Sequence, residues 1–372
     1  MNGKRRTRQF HAWSFAAATV PAVMTCAGIA WPWVLAGCAA AAVFYFLLGL
    51  LRRRTGMSLT ESYTTAFGNF IGRLLLGLTA VWTLLALART ASGAAAAFPE
   101  GDGAGMAPAV LMALTAWVCI RGENAPARCA AVLAPLLAGL YLILLAAALP
   151  DVKTEWCGLW GENRGILEAG SAMLLPTAAL FLREGEDGKG KRAWWLLGVM
   201  AAGPAAMALA ASGRLSPQVV QAEKLPFYML TKSLSILSVM ERFEPVLSVA
   251  LLIGMFCMAA LLAECAAKLG CAARGNGRRN WHGAAVCTAA FGLSFWIDRV
   301  PEAIWSAGAA LFWGIIEILA QVVVGIKKEE KRGKKELTNG DEDGNIAERS
   351  REGSTADASP ERKTSKNEEK SS

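Results

Sequence analysis

The chain has 372 residues, 54% of them hydrophobic and 18% charged, with a formal net charge of +8. A soluble domain spaces its apolar residues periodically, whereas here they come in unbroken runs long enough to cross a bilayer. The bases lie in short loops and in the tail, which excludes a nucleic-acid partner, and the runs do not alternate apolar with polar, which excludes a barrel.

Ten spans are predicted in chain order, at about 10–29, 33–51, 71–97, 107–120, 127–149, 167–182, 193–211, 234–267, 281–297 and 304–326. The first follows a basic stretch but lacks a clean small-residue cleavage site and is succeeded at once by the second. It therefore reads as a retained span, not a signal peptide. The expected fold class is an all-α integral membrane protein.

The loop charges support this count. Bases fall in alternate loops: Lys4, Arg5, Arg6 and Arg8 before the first span; Arg52, Arg53 and Arg54 after the second; Arg121 and Arg128 after the fourth. The series continues with Arg183, Lys189, Lys191 and Arg192 after the sixth, and Lys268, Arg274, Arg278 and Arg279 after the eighth. The positive-inside rule places all of these, and hence both termini, in the cytoplasm. The weakest fit is the seventh-to-eighth connection, with Arg214, Lys224 and Lys232. From 327 to 372 the chain is rich in Lys, Glu, Ser, Gly and Asp and poor in large apolar residues, so a disordered cytoplasmic tail is expected.

Little in the sequence points to chemistry. Nine cysteines include no CxxC pair, and Cys26, Cys38, Cys257 and Cys287 fall inside spans as small hydrophobes, so no disulfide is implied. His11 and His282 have no ligand partner at metal-binding spacing. There is no phosphate-cradling glycine loop and no nucleophile elbow. The sequence makes no case for an enzyme, a metal or a cofactor.

Polar residues inside the spans are the functional candidates. Arg89, in the third span, can snorkel to the interface, pair with an acid or touch a ligand. Glu264 and Glu317 read as pairing or interface residues. Pro21 and Pro176 each remove a helix hydrogen bond and lie in spans one and six, the corresponding members of two five-helix halves. They are either kinks or the paired broken helices that bind substrate in transporters. The segment 224–244, KLPFYMLTKSLSILSVMERFE, carries Lys232, Ser235, Ser238 and then Glu241 or Arg242 at helical spacing beside an apolar face. Such a helix lies in the outer interface or begins the eighth span. Glu241 and Arg242 diverge by about 100° on it, so they seek different partners, with Glu244 one turn further.

Four stretches then resemble the B subunit of spore germinant receptors, the endospore germination permease family of the amino acid–polyamine–organocation superfamily. They are TGMSLTESYTTAFGNFIGRLLLG from Thr55, RGENAPARCAAVLAP from Arg121, LLPTAALFLRE from Leu174, and LPFYMLTKSLSILSVMERFEPVLS from Leu225. The resemblance spans about 10–326. It implies two inverted five-helix repeats (a LeuT-like fold), a place in the spore inner membrane beside A-type and C-type subunits, and a small amino-acid-like ligand. It also implies a pocket among the first, third, sixth and eighth helices. On that basis the ligand candidates are Thr19, Pro21, Thr25, Arg89, Gly170, Ser171, Pro176, Thr177, Ser235 and Ser238, with Glu241, Arg242 and Glu244 as a bracing charge cluster. The family's first helix breaks at a glycine; here Pro21 is kept, but no glycine precedes Gly28 within that span.

Overall fold

A chain that must satisfy its backbone inside lipid has one local solution for a long apolar run, the helix. The computed structural model describes residues 3–24, 29–97, 105–122, 124–158, 164–179, 194–223, 226–233, 244–275, 277 and 281–331. Among these there is no strand. The helices are α1 (Gly3–Met24), α2 (Trp31–Thr55), α3 (Leu59–Phe67), α4 (Asn69–Gly93), α5 (Ala107–Ile120), α6 (Asn124–Ala148) and α7 (Arg164–Leu174). Then come α8 (Trp194–Leu215), α9 (Pro217–Ala222), α10 (Pro226–Lys232), α11 (Glu244–Arg274) and α12 (Trp281–Ile297). The last, α13 (Glu302–Lys331), contains a π turn at Leu311–Ile315. The chain divides into a helical body, Met1–Val324, and a second unit, Gly325–Ser372. Residues 325–331 of that unit are helical; the rest of the tail lies outside the described residues.

Five helices (α2, α4, α6, α11 and α13) are long and apolar enough to cross a membrane, and α5 and α12 are shorter apolar helices. With α1, α7 and α8 they make the ten spans of an integral membrane protein. Residues such as Phe70, Val132, Leu142 and Phe295 turn large apolar side chains outward, as a lipid-facing surface requires. Tryptophans mark the two interfaces. Arg121 stacks over Trp117 near one face and Arg299 over Trp296 near the other, each 5.0 Å from the ring centre.

The core is built from small residues. α11 is the central helix: 72% of its apolar window is buried, against 28–39% for the other long spans. Its Ala259, Ala260, Ala263 and Ala266 let neighbours approach closely. α2 and α7 meet at Gly37 and Gly170, where a Cβ on Gly37 would lie 2.3 Å from the Ile166 carbonyl oxygen. α1 is fixed to α11 by Trp13, whose Nε1–H donates to the Cys257 carbonyl at 2.8 Å. Trp13→Phe removes this donor and part of a fully buried indole, so the lost hydrogen bond and the cavity together are expected to cost about 2 kcal/mol or more, read as a clear fall in Tm in detergent.

The packing has an internal symmetry. Under the exchange of α1 with α7, α2 with α8, α4 with α11, α5 with α12 and α6 with α13, several of the main contacts map onto contacts. Thus α1 packs on α6 as α7 packs on α13, α2 on α7 as α8 on α1, and α4 on α12 as α11 on α5. Five is an odd number, so the second half enters the membrane from the opposite side and the repeat is inverted. The short helices obey the same exchange: α3 joins α2 to α4, and α9 and α10 join α8 to α11.

These three short helices are not among the predicted spans. α3 starts at a capping box in which Ser58 Oγ accepts from Glu61 N and Glu61 Oε2 accepts from Ser58 N. Arg214, one of three bases in the connection that fits the loop rule least, is bound in place. It pairs with Asp151 at 2.6 Å and donates to the Ser233 carbonyl at 3.0 Å.

Candidate functional site

α7 ends as an α-helix at Leu174 and continues as a 3-10 turn over Leu175–Ala178. Pro176 has no N–H to donate, so the α ladder cannot continue through it. This turn packs against α1 and α11, which brings spans one, six and eight together. Cys265 of α11 donates its thiol to the Ala178 carbonyl, occupying an acceptor at the interruption. That cysteine carried no signal in the sequence beyond its apolar setting. α1, by contrast, runs unbroken through Pro21 to Met24. The proline is accommodated as a residue inside the helix, and the described part of span one contains no break.

The hydroxyls of the candidate residues turn back onto their own helices. Thr19 Oγ1 donates to the Ala16 carbonyl at 2.7 Å, Ser171 Oγ to the Glu168 carbonyl at 2.9 Å, and Thr177 Oγ1 to the Leu174 carbonyl. Their lone pairs remain available as acceptors. Between α1 and α11 the helices touch: a Cβ on Gly254 would lie 2.7 Å from Thr19 Oγ1. Gly170 belongs to the α2–α7 contact, since its own Cβ would meet the Gly37 carbonyl at 3.0 Å.

Arg89 lies far from this junction, near the C-terminal end of α4. Its Nη2 donates to both carboxylate oxygens of Glu302, at 2.5 and 2.6 Å, and its guanidinium lies 5.0 Å from the Trp305 ring centre. Of the three roles open to Arg89 in sequence, pairing with an acid is the one the structure displays. Beside it Ser92 donates to Asp298 at 2.5 Å. Below them Trp82 stacks against Trp305 and Phe312 with centroid separations of 5.0 and 5.5 Å, over Gly308, where any Cβ would strike the indole at 2.2 Å. α4 and α13 are therefore closed together at this face. The Arg89–Glu302 pair is exposed, so Arg89→Ala is expected to lower stability by less than about 1 kcal/mol, a small Tm change.

On the opposite side the described residues leave a cleft. It holds about 570 Å³, enters beside Arg8 and His11 and runs between α1, α6 and α8 to Thr19 and Met173, just before the interrupted turn. Its walls are Ala134, Pro135, Ala138 and Tyr141 of α6 and Gly203, Pro204 and Met207 of α8. Small residues line the space beside prolines, which have no N–H to donate, so each of these two helices lacks one ladder hydrogen bond there. Thr19 is the residue shared by the cleft and the sequence candidates. Pro135 and Pro204 were legible as prolines inside spans five and seven. Thr25, Ser235, Ser238, Glu241 and Arg242 lie outside the described residues; Glu244 opens α11, and its side chain is likewise outside them.

An inverted repeat of five helices, an interrupted sixth span and a one-sided cleft belong to a known architecture. The fold is similar to that of a nucleobase-cation-symport-1 transporter. That protein, Mhp1, solved in a closed conformation with bromovinylhydantoin bound, superposes with a TM-score of 0.58 and 14% sequence identity, over 82% of this chain and 74% of its own. A Na+-coupled sialic acid symporter in a substrate-bound outward-open state is matched with a TM-score of 0.42 and 13% identity, over 87% and 74%. No protein-family model matches the sequence, and no curated protein matches it.

Proposed function

We propose that this chain is a permease that binds a small amino-acid-like solute and admits it from one membrane face at a time. The observation that carries this is the asymmetry of the two faces. One is closed by Arg89, Glu302, Trp82 and Trp305, while the other opens into the cleft that ends beside the interrupted span. Access from a single face to the midplane is the geometry of alternating access. Arg8 and His11 at the mouth favour a solute with an acidic group, and the apolar walls favour one with an apolar side chain. The purified protein, offered labelled amino acids one at a time in proteoliposomes, is expected to accumulate at least one. Absence of both uptake and thermal stabilisation by every amino acid would defeat the proposal.

A second reading makes ligand binding a signal instead of a transport step. It is favoured by LPFYMLTKSLSILSVMERFEPVLS and the three other stretches that resemble germinant-receptor B subunits. On this reading the chain sits in the spore inner membrane, with both termini in the cytoplasm, and works beside A-type and C-type subunits. Deleting its gene in a spore former should then abolish germination by one amino-acid germinant. Unchanged germination on amino acids, sugars and nucleosides would exclude this role.

A further inference from the structure

Glu317 of α13 is fully buried, and neither of its carboxylate oxygens has a hydrogen-bond partner. One turn on, Gln321 is also fully buried, and its Nε2 has no partner either. Residues four apart share a helix face, so the two side chains are neighbours. Gln321 Oε1 accepts from Thr55 Oγ1 at 2.7 Å, which ties the pair to the end of α2. Tyr63 of α3 lies within electrostatic reach of Glu317 and beside Thr79 of α4. The result is a cluster of oxygens (carboxylate, amide, hydroxyl and phenol) drawn from α13, α2 and α3, beside Thr79 of α4. It lies in the half of the bundle opposite Arg89 and Glu302, apart from the residues that line the cleft.

The charged and titratable groups around it can be named element by element. α2 supplies Arg52, which acts on Glu317 from the last turn of that helix. α3 supplies Tyr63. α11 supplies Glu264, Cys265 and Lys268, with both carboxylates acting on Cys265. Beyond Glu264 lie Cys119 of α5 and Cys287 of α12. Two buried carboxylates share the neighbourhood of one lysine and one arginine that are each only half-buried. A bare carboxylate in such an interior is strongly unfavourable unless a positive charge joins it, and oxygen donors of this kind select a hard cation.

We propose that Glu317 and Gln321, with Thr55 and Tyr63, form a binding site for a monovalent cation, a proton or a sodium ion, which is the ion that drives the permease. The second clause rests on the permease reading; the site itself does not. α13 departs from α geometry at Leu311–Ile315, immediately before Glu317, and such π turns concentrate where a helix presents a functional group.

The test uses the full-length protein purified in detergent and measures Tm from mildly acidic to mildly alkaline pH, in sodium chloride and in choline chloride. Wild type is expected to show a Tm that depends on pH or on sodium. A pH dependence in choline identifies the proton, and a sodium dependence at fixed pH identifies sodium. Glu317→Gln is expected to lose that dependence, while Glu155→Gln, an exposed acid between α6 and α7, keeps it. Gln321→Leu shifts the midpoint about tenfold, the usual scale for a supporting ligand, and reports on the site if Glu317→Gln does not fold. A wild-type Tm insensitive to both ions, or a Glu317→Gln variant with the wild-type dependence, overturns the site. An intact cation response in a protein that transports no solute overturns the permease reading and leaves the site standing.

Discussion

Replacing Gly37 by leucine is expected to eliminate the folded protein. The position faces the backbone of α7: a Cβ would lie 2.3 Å from the Ile166 carbonyl oxygen and 2.8 Å from the Gly170 nitrogen. Backbone atoms cannot rotate aside as a side chain can, so the whole helix must move. α2 also packs on α8, so displacing it from α7 strains two interfaces at once. In lipid, where close approach of small residues holds helices together, the expected penalty is about 3 kcal/mol or more. Size-exclusion profiles and Tm in detergent measure it. Gly49→Leu in the same helix is the control, because nothing lies within 4 Å of a Cβ there. Equal folding of the two variants would show that α2 and α7 do not meet at Gly37.

Ala138→Trp should do the opposite, leaving the fold and removing the function. Ala138 lies on the cleft wall between Pro135 and Tyr141, and an indole placed there occupies the space a solute would use. The cleft holds about 570 Å³, so the new ring can fill it without pushing backbone apart. Uptake, or ligand-induced stabilisation, is expected to fall at least tenfold, a change of about 1.4 kcal/mol in binding. Tm without ligand should stay close to wild type. Full uptake by a well-folded Ala138→Trp protein would mean that solute does not pass between α1, α6 and α8.

Much of the fold was legible because lipid removes alternatives: a run of apolar residues there becomes a helix, and alternating loop charge orders the runs. The helices that escaped, α3 and α9, have nine and six residues, too few turns for periodicity to register, whereas α10 falls in the segment 224–244 that reads as helical. Ser58 and Glu61, at capping-box spacing, were the readable sign of α3. The site was less legible, because hydropathy says which residues are buried but not which helices meet. Gly170 reads as a place where a ligand could approach a bare backbone, and the structure puts Gly37 there. Arg89 reads as a cation inside a span with three roles open to it, and its partner Glu302 lies on another helix at the far end of the sequence. Pro176 could be read from its residue type alone, because the missing N–H is a local property.

The π turn in α13 has a consequence for how this helix tolerates change in length. Trp305 and Gly308 above it are held against Trp82, and Gln321 below it is held to Thr55. A π turn carries one residue more than the α-helix needs to cover the same rise. Removing one residue from Leu311–Ile315 therefore lets the helix revert to regular winding while both anchored ends keep their partners. A deletion one turn below the π turn, at Leu319, has no slack to draw on. It rotates everything beyond by about 100°, carrying Gln321 away from Thr55 and toward lipid. The irregular turn thus acts as a length reserve between two registers fixed independently.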